Sequence, residues 1–304
     1  MLSQDELNQK LYEALDCVKA SKENLEKTVR LIIEGADINF KGDEGYTALM
    51  LAAENGNTEI VRLFLDKGAD INLQDDNDET ALMAAASCGH AEIVKLLIDR
   101  GANIDIKDDE QGMTALMLAA ENGHIEVVRL LVDRVSDIDL TNDYDDWTAL
   151  IWATLGCNIE IVRLLLDKGA NIDFKNDSCE GYTALMMASE RGNIEIVRLL
   201  ADRGADINFK SRFCETALLR AVYGRNAEVI RLLVDRGADI NFKDAYGKTA
   251  LIMAASEGYT EIVKALIDAG ADLNLKDNKG NTALMETSIW NHKEIADLLK
   301  SKII

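Results

Sequence analysis

Residues 45–72 read GYTALMLAAENGNTEIVRLFLDKGADIN, two short helical segments punctuated by glycine. Thr47 is placed to cap a first helix, and the residues that follow, Ala48 to Ala53, are apolar and good helix formers. Gly56 stops that helix. A second helix begins near Glu59, carries Ile60, Val61, Leu63, Phe64 and Leu65 in part along one face, and ends at Gly68, which can take the left-handed backbone of a helix C-cap. Beyond it an extended Ile-Asn-Leu run leads into Asp, Asn and Asp, the residues of a tight turn projecting as a hairpin finger.

Working outward, the Thr-Ala-Leu of this stretch recurs at Thr80, Thr114, Thr148, Thr183, Thr216, Thr249 and Thr282, in steps of 33 to 35 residues. A period of this length means a stacked solenoid, because each unit is too small to bury its apolar face without a neighbour. The expected fold class is an all-α repeat solenoid of about nine helix-turn-helix units. Residues 1–42 serve as an N-terminal capping repeat, 43–277 as seven internal repeats and 278–304 as a C-terminal capping repeat, in one domain spanning 1–304. Leu7, Leu11, Ala14, Leu15 and Val18 mark the first capping helix, and Leu25, Val29, Leu31, Ile32 and Ile33 the second.

These residues resemble the ankyrin repeat family over nearly the whole chain. The family's Thr-Pro-Leu-His box corresponds to Thr-Ala-Leu followed by Met50, Met83, Met117, Ile151, Met186, Leu219, Ile252 and Met285. Its Gly-Ala-Asp-x-Asn ending is matched at Gly35, Gly68, Gly204, Gly237 and Gly270. Two departures run through the chain: it has no proline, and the box histidine is replaced by an aliphatic residue or methionine, so apolar packing is expected where the family has histidine hydrogen bonds. The resemblance implies projecting β-hairpin fingers and a concave binding face formed by the finger tips and the outward side of each first helix.

Composition narrows the function. The net charge of −21 argues against a nucleic-acid partner, since phosphate binding needs many lysines and arginines. No apolar run reaches the roughly 18 residues of a membrane span. The start, MLSQDELNQK, lacks the basic and apolar regions of a signal peptide, and five cysteines without a Cys-x-x-Cys pair fit a reducing compartment, so a cytoplasmic location is expected. His90, His124 and His292 each stand ten residues after their repeat's threonine, a position dictated by the repeat, and no Gly-rich phosphate loop or catalytic box occurs. No enzyme activity, cofactor or metal is expected. Lysines recurring at 41, 107, 175, 210, 243 and 276 read as solvated finger bases.

Because the repeat explains what is the same, candidate binding residues are sought where units differ. On helical spacing, the residue before each threonine and those four, seven and eight after it face the binding side. In the middle units these places carry Trp147, Trp152, Leu155, Tyr182, Met187, Arg191, Arg220 and Tyr223, which with Phe213 compose an aromatic and arginine strip along repeats five to seven. Trp, Tyr and Arg are the residues most enriched at interface hot spots. The same region holds two lengthened fingers, TNDYDDW at 141–147 and NDSCEGY at 176–182. Val135 there replaces a capping glycine, and Cys157 and Arg225 replace the glycine that ends a first helix, which strains or reshapes each turn by about 1 kcal/mol.

Two functions follow. The first is a non-catalytic scaffold that holds a protein partner bearing basic residues, steered by the acidic fingers with Asp75, Asp76, Asp78, Asp108, Asp109, Asp143, Asp145 and Asp146. The alternative is capture of a small anionic or aromatic ligand such as a nucleotide, stacked on Trp147, Trp152, Tyr182 or Tyr223 with Arg191, Arg220 and Arg225 as counter-charges. Ile289 and Trp290 in the last repeat offer a second surface for weak self-association through the C-terminal cap.

Overall fold

Seven of the eight repeat threonines cap a helix in the computed structural model: the hydroxyls of Thr47, Thr80, Thr114, Thr183, Thr216, Thr249 and Thr282 each accept the backbone N–H three residues on. The structure describes residues 2–15, 22–175 and 181–303. Cys17, Val18 and Cys179 lie outside the described residues, as does most of the 176–182 finger.

The chain forms two compact units. In residues 1–170 the helices are α1 (Gln4–Leu15), α2 (Lys22–Ile33), α3 (Ala48–Glu54), α4 (Thr58–Asp66), α5 (Ala81–Ser87), α6 (Ala91–Asp99), α7 (Ala115–Glu121), α8 (Ile125–Leu131), α9 (Ala149–Leu155) and α10 (Ile159–Asp167). In residues 171–304 they are α11 (Ala184–Arg191), α12 (Ile194–Asp202), α13 (Ala217–Tyr223), α14 (Ala227–Asp235), α15 (Ala250–Glu257), α16 (Thr260–Asp268), α17 (Ala283–Ile289) and α18 (Lys293–Ile303). Consecutive helices pair, and within each unit odd helices pack on odd and even on even, as in α3 on α5 and α12 on α14. This is an all-α repeat solenoid.

The core sits between these two layers. The residue three after each threonine is almost wholly buried at Met50, Met83, Met117, Ile151, Met186, Leu219 and Ile252, whereas Met285 is 49% exposed. Each such burial contributes about 1.5–3 kcal/mol. Packing does not replace every polar contact of the box: Met50 Sδ accepts the Thr47 N–H at 3.3 Å. In the first unit Leu7, Leu11, Ala14 and Leu15 of α1 are buried as their spacing predicts.

The fingers differ from the expected hairpins. Among the described residues there is no strand ladder, only the isolated antiparallel bridges Lys41–Thr47 and Thr141–Thr148. An aspartate side chain closes several fingers instead, as where Asp75 Oδ1 accepts the N–H groups of Asn77 and Glu79, and Asp277 Oδ1 those of Lys279 and Asn281. Neighbouring fingers are joined tip to tip, Asp76 N–H to the Glu44 carbonyl and Asn278 N–H to the Tyr246 carbonyl. The recurring lysines take part in this stitching rather than standing in solvent alone: Lys41 donates to the Gln74 carbonyl, Lys243 to the Lys276 carbonyl, and Lys107 pairs with Asp143.

The irregular turns resolve in two ways. Cys157 (φ 58°) and Arg225 (φ 54°) adopt the left-handed backbone that glycine would, as does Asn291 (φ 62°). Val135 does not. A β-branched side chain resists that region, and α8 ends after seven residues where its counterparts run nine.

Candidate functional site

In the first unit, the lengthened 141–147 finger delivers Trp147. Asn142, fully buried, accepts the Trp147 N–H at 2.6 Å and donates to the Gln111 carbonyl, locking the finger base. Trp147 then meets Trp152 edge to face, centroids 5.0 Å apart and planes at 68°. Neither indole N–H has a hydrogen-bond partner, and Thr148, which does not cap α9, leaves its buried Oγ1 unpartnered beside them. Leu155, at the end of α9, is half-buried. Three buried polar atoms within six residues thus lack partners, an unusual concentration.

In the second unit the arrangement centres on Arg220 of α13. Its Nε and Nη2 bond Glu190 of α11, Nη1 bonds the Tyr182 hydroxyl at 2.9 Å and Glu215 at 3.3 Å, and Tyr182 donates to Glu215 at 2.8 Å. The guanidinium also lies 4.3 Å from the centre of the Tyr182 ring and 5.2 Å from that of Tyr223. Burial opposes the charge on Arg220, yet the Glu190 hydrogen bond and charge, with Tyr182 and Glu215, hold its pKa above the ordinary arginine value. The cluster therefore cross-links successive repeats through a saturated cation.

This placement separates the candidate residues. Trp152, Tyr182 and Met187 are buried. Trp147, Leu155 and Arg220 are half-buried, while Arg191, Phe213 and Tyr223 are exposed. The structure brings Tyr182, Arg220 and Tyr223 together; Arg191, at the end of α11, makes none of those contacts, and Phe213 stands at a finger tip with its carbonyl accepting from Ala245 N–H.

Tyr223 opens onto a feature that reading by difference missed. It shares with Tyr246, Met253 and Glu257 a cavity of about 400 Å³, whose rim also carries Asp244 and Lys248. Tyr223 and Tyr246 are 45% and 69% exposed. Burial, then the charges of Glu215, Asp244 and Glu257 against that of Arg220, raise the Tyr223 phenol above its usual range. Tyr246 was passed over because it lies three residues before Thr249, on the finger and outside the four helical positions considered; an aromatic residue at a turn tip was the available signal. Glu190 and Glu215 occupy two of those positions, and their binding of Arg220 is not visible in the spacing.

The histidines prove structural. Nε2 of His90, His124 and His292 meets the carbonyl of Glu54, Ser87 and Ser256 in the preceding repeat, at 2.8, 2.8 and 3.1 Å. At the same repeat position Asn158 makes the equivalent bond through Nδ2 to the Glu121 carbonyl, while Asn226 donates to the Gly192 carbonyl two residues further on.

No helix among the described residues is long and apolar enough to cross a membrane. No curated protein matches the chain. The family model for ankyrin repeats matches residues 17–108, 105–176, 134–211, 171–244 and 218–303, overlapping segments that leave little of the sequence uncovered. With its capped helix pairs, linked fingers and repeat period, the chain belongs to the ankyrin repeat family.

Proposed function

We propose that this protein is a non-catalytic scaffold that binds a protein partner carrying basic residues. Ankyrin repeats are generally protein–protein interaction modules. The observation that carries the reading further is the pair of exposed rings, Tyr223 and Tyr246, flanking the cavity of the second unit, with Phe213 exposed on the neighbouring finger. Rigid aromatic side chains around a recess are the usual anchors of an interface. Arg191 adds a charged contact on the same unit; in the first unit Trp147 and Leu155 are separate candidates for the partner. The charge of −21 favours a basic partner through steering more than through affinity.

The small-ligand alternative has less behind it. Of its three counter-charges, Arg220 already shares its charge with Glu190 and Glu215, and Arg225 lies over the Tyr259 ring at 4.4 Å. The exposed free thiols of Cys88, Cys157 and Cys214 support a reducing compartment, the cytoplasm. Weak self-association belongs to the same proposal, supported by Met285, Ile289 and Trp290 at 49%, 58% and 60% exposure on and beside α17.

Affinity capture tests the main reading, using wild type beside Phe213→Ala/Tyr223→Ala/Tyr246→Ala with matched cooperative unfolding. A protein retained by wild type and lost by the variant identifies the aromatic face as the contact. Retention of the same set by both removes that face from the interaction. Sedimentation of wild type against Trp290→Ala reads self-association separately.

A further inference from the structure

The group that surrounds Arg220 occurs twice. Tyr182, Glu190, Glu215 and Arg220 stand four repeats after Tyr46, Glu54, Glu79 and Ala84, each at the matching place in its repeat. The first three residues are identical in type; the fourth is arginine in the second unit and alanine in the first. The backbone beneath them is the same: Thr47 and Thr183 cap their helices at φ/ψ of −98°/161° and −93°/165°, and Thr80 and Thr216 at −114°/163° and −114°/168°. The second unit thus shows what this tyrosine and these two glutamates hold when a guanidinium is present.

In the first unit the position of the arginine is held by Ala84. Glu54 is exposed, Tyr46 and Glu79 are half-buried, and among the described residues neither glutamate has an ion pair. Burial, then the charges of Glu79 and Glu54, keeps the Tyr46 phenol well above its usual range. Burial, then the charges of Asp75, Glu54, Asp108 and Glu110, pushes Glu79 up to about 7. These are carboxylates crowded together without the cation their counterparts enjoy.

We propose that Tyr46, Glu54 and Glu79 form a receptor for an arginine side chain of the protein partner, which enters where Arg220 sits in the second unit. The inference rests on the scaffold reading and adds the chemistry of the partner. Arginine fits better than lysine. Its planar fork can bond two carboxylates at once, as Arg220 bonds Glu190 and Glu215, while its face stacks on the phenol ring, as on Tyr182; an ammonium offers a point charge and no plane.

The test needs no partner, so its failure is separate from a failed capture. N-acetyl-arginine methylamide and the matching lysine compound are titrated into isotopically labelled full-length protein at constant ionic strength, with chemical shifts followed residue by residue. The receptor requires saturable shifts at Tyr46, Glu54 and Glu79, with the lysine compound several-fold weaker. Ala84→Arg places a guanidinium there in cis and is expected to abolish the response. Since Ala84 is only 2% exposed, the larger side chain can disturb the fold, and Glu54→Gln/Glu79→Gln then supplies the same loss without added volume. Shifts spread over acidic residues without saturation, equal response to both compounds, or saturable binding that survives in the folded variants overturns the proposal.

Discussion

Arg220 lies over Tyr182, its guanidinium carbon 4.3 Å from the ring centre, and donates a hydrogen bond to that same tyrosine's hydroxyl. With only 14% of its side chain exposed and two glutamates bound to it, Arg220 is the charge that makes the surrounding acid tolerable. Arg220→Ala is expected to destabilise the protein by about 2–4 kcal/mol, because half-buried Glu215 and Glu190 lose their cation. Adding Glu215→Gln recovers part of that loss, so the two substitutions are less than additive in urea unfolding. Additive losses would show that the contacts are incidental.

The histidine positions supply an internal control. Removing the His90 ring takes its hydrogen bond from the Glu54 carbonyl, and His90→Ala is expected to lower stability by about 1 kcal/mol plus whatever the packing over Gly56 contributes. Asn158 makes the same bond elsewhere in the chain, to the Glu121 carbonyl. His90→Asn is therefore expected to retain most of the lost stability in thermal unfolding, which a role in acid–base chemistry or metal binding would not predict.

Much of the fold was legible because it depends on local residues: a threonine hydroxyl reaches a backbone N–H three places on, and a glycine permits a left-handed turn wherever the stack leaves it. The candidate site was less so. Whether Arg220 is a free charge depends on Glu190, thirty residues away, and Trp152, Tyr182 and Met187 are buried although their spacing matches that of exposed candidates. Spacing gives these residues their positions along the helices, but only packing decides which of them reach solvent. The fingers, too, close through aspartate side chains at Asp75 and Asp277, a local bond that the turn residues announced without excluding strand pairing.

At Trp152 the unpartnered indole N–H makes the side chain's size useful and its polarity a burden. Trp152→Phe is expected to cost less than about 1 kcal/mol or to stabilise slightly, since it removes a buried donor that nothing accepts. Trp152→Ala, by contrast, leaves a cavity against Trp147 and is expected to cost about 3–5 kcal/mol. Chemical denaturation separates the two; equal losses would mean that the N–H is satisfied in solution.

The left-handed turns at Cys157 and Arg225 separate backbone strain from side-chain contact. Both residues hold positive φ, where glycine avoids a steric cost. Cys157→Gly is expected to raise stability by about 0.5–1 kcal/mol, the relief of strain less the entropy a glycine adds to the unfolded chain. Arg225→Gly gives up the stacking of its guanidinium on Tyr259 and is expected to be close to neutral. Matched gains at both sites would show that the stacking contributes nothing measurable.

Glu79 makes stability depend on pH in a direction opposite to that of a salt-bridged carboxylate. Its folded pKa of about 7 lies above the ordinary carboxylate value of 4.5. At pH 5 the folded protein therefore keeps the Glu79 proton while the unfolded chain has largely lost it, and the folded state is relatively favoured. As pH rises through 7 the folded carboxylate must ionise beside Asp75 and Glu54, and that advantage disappears. Glu79→Gln carries no such charge, so it is expected to raise the melting temperature at pH 8 and to change it little at pH 5. An effect independent of pH across that window would show that Glu79 titrates as a solvated carboxylate, and with it that the first unit's glutamates are not held together as their counterparts around Arg220 are.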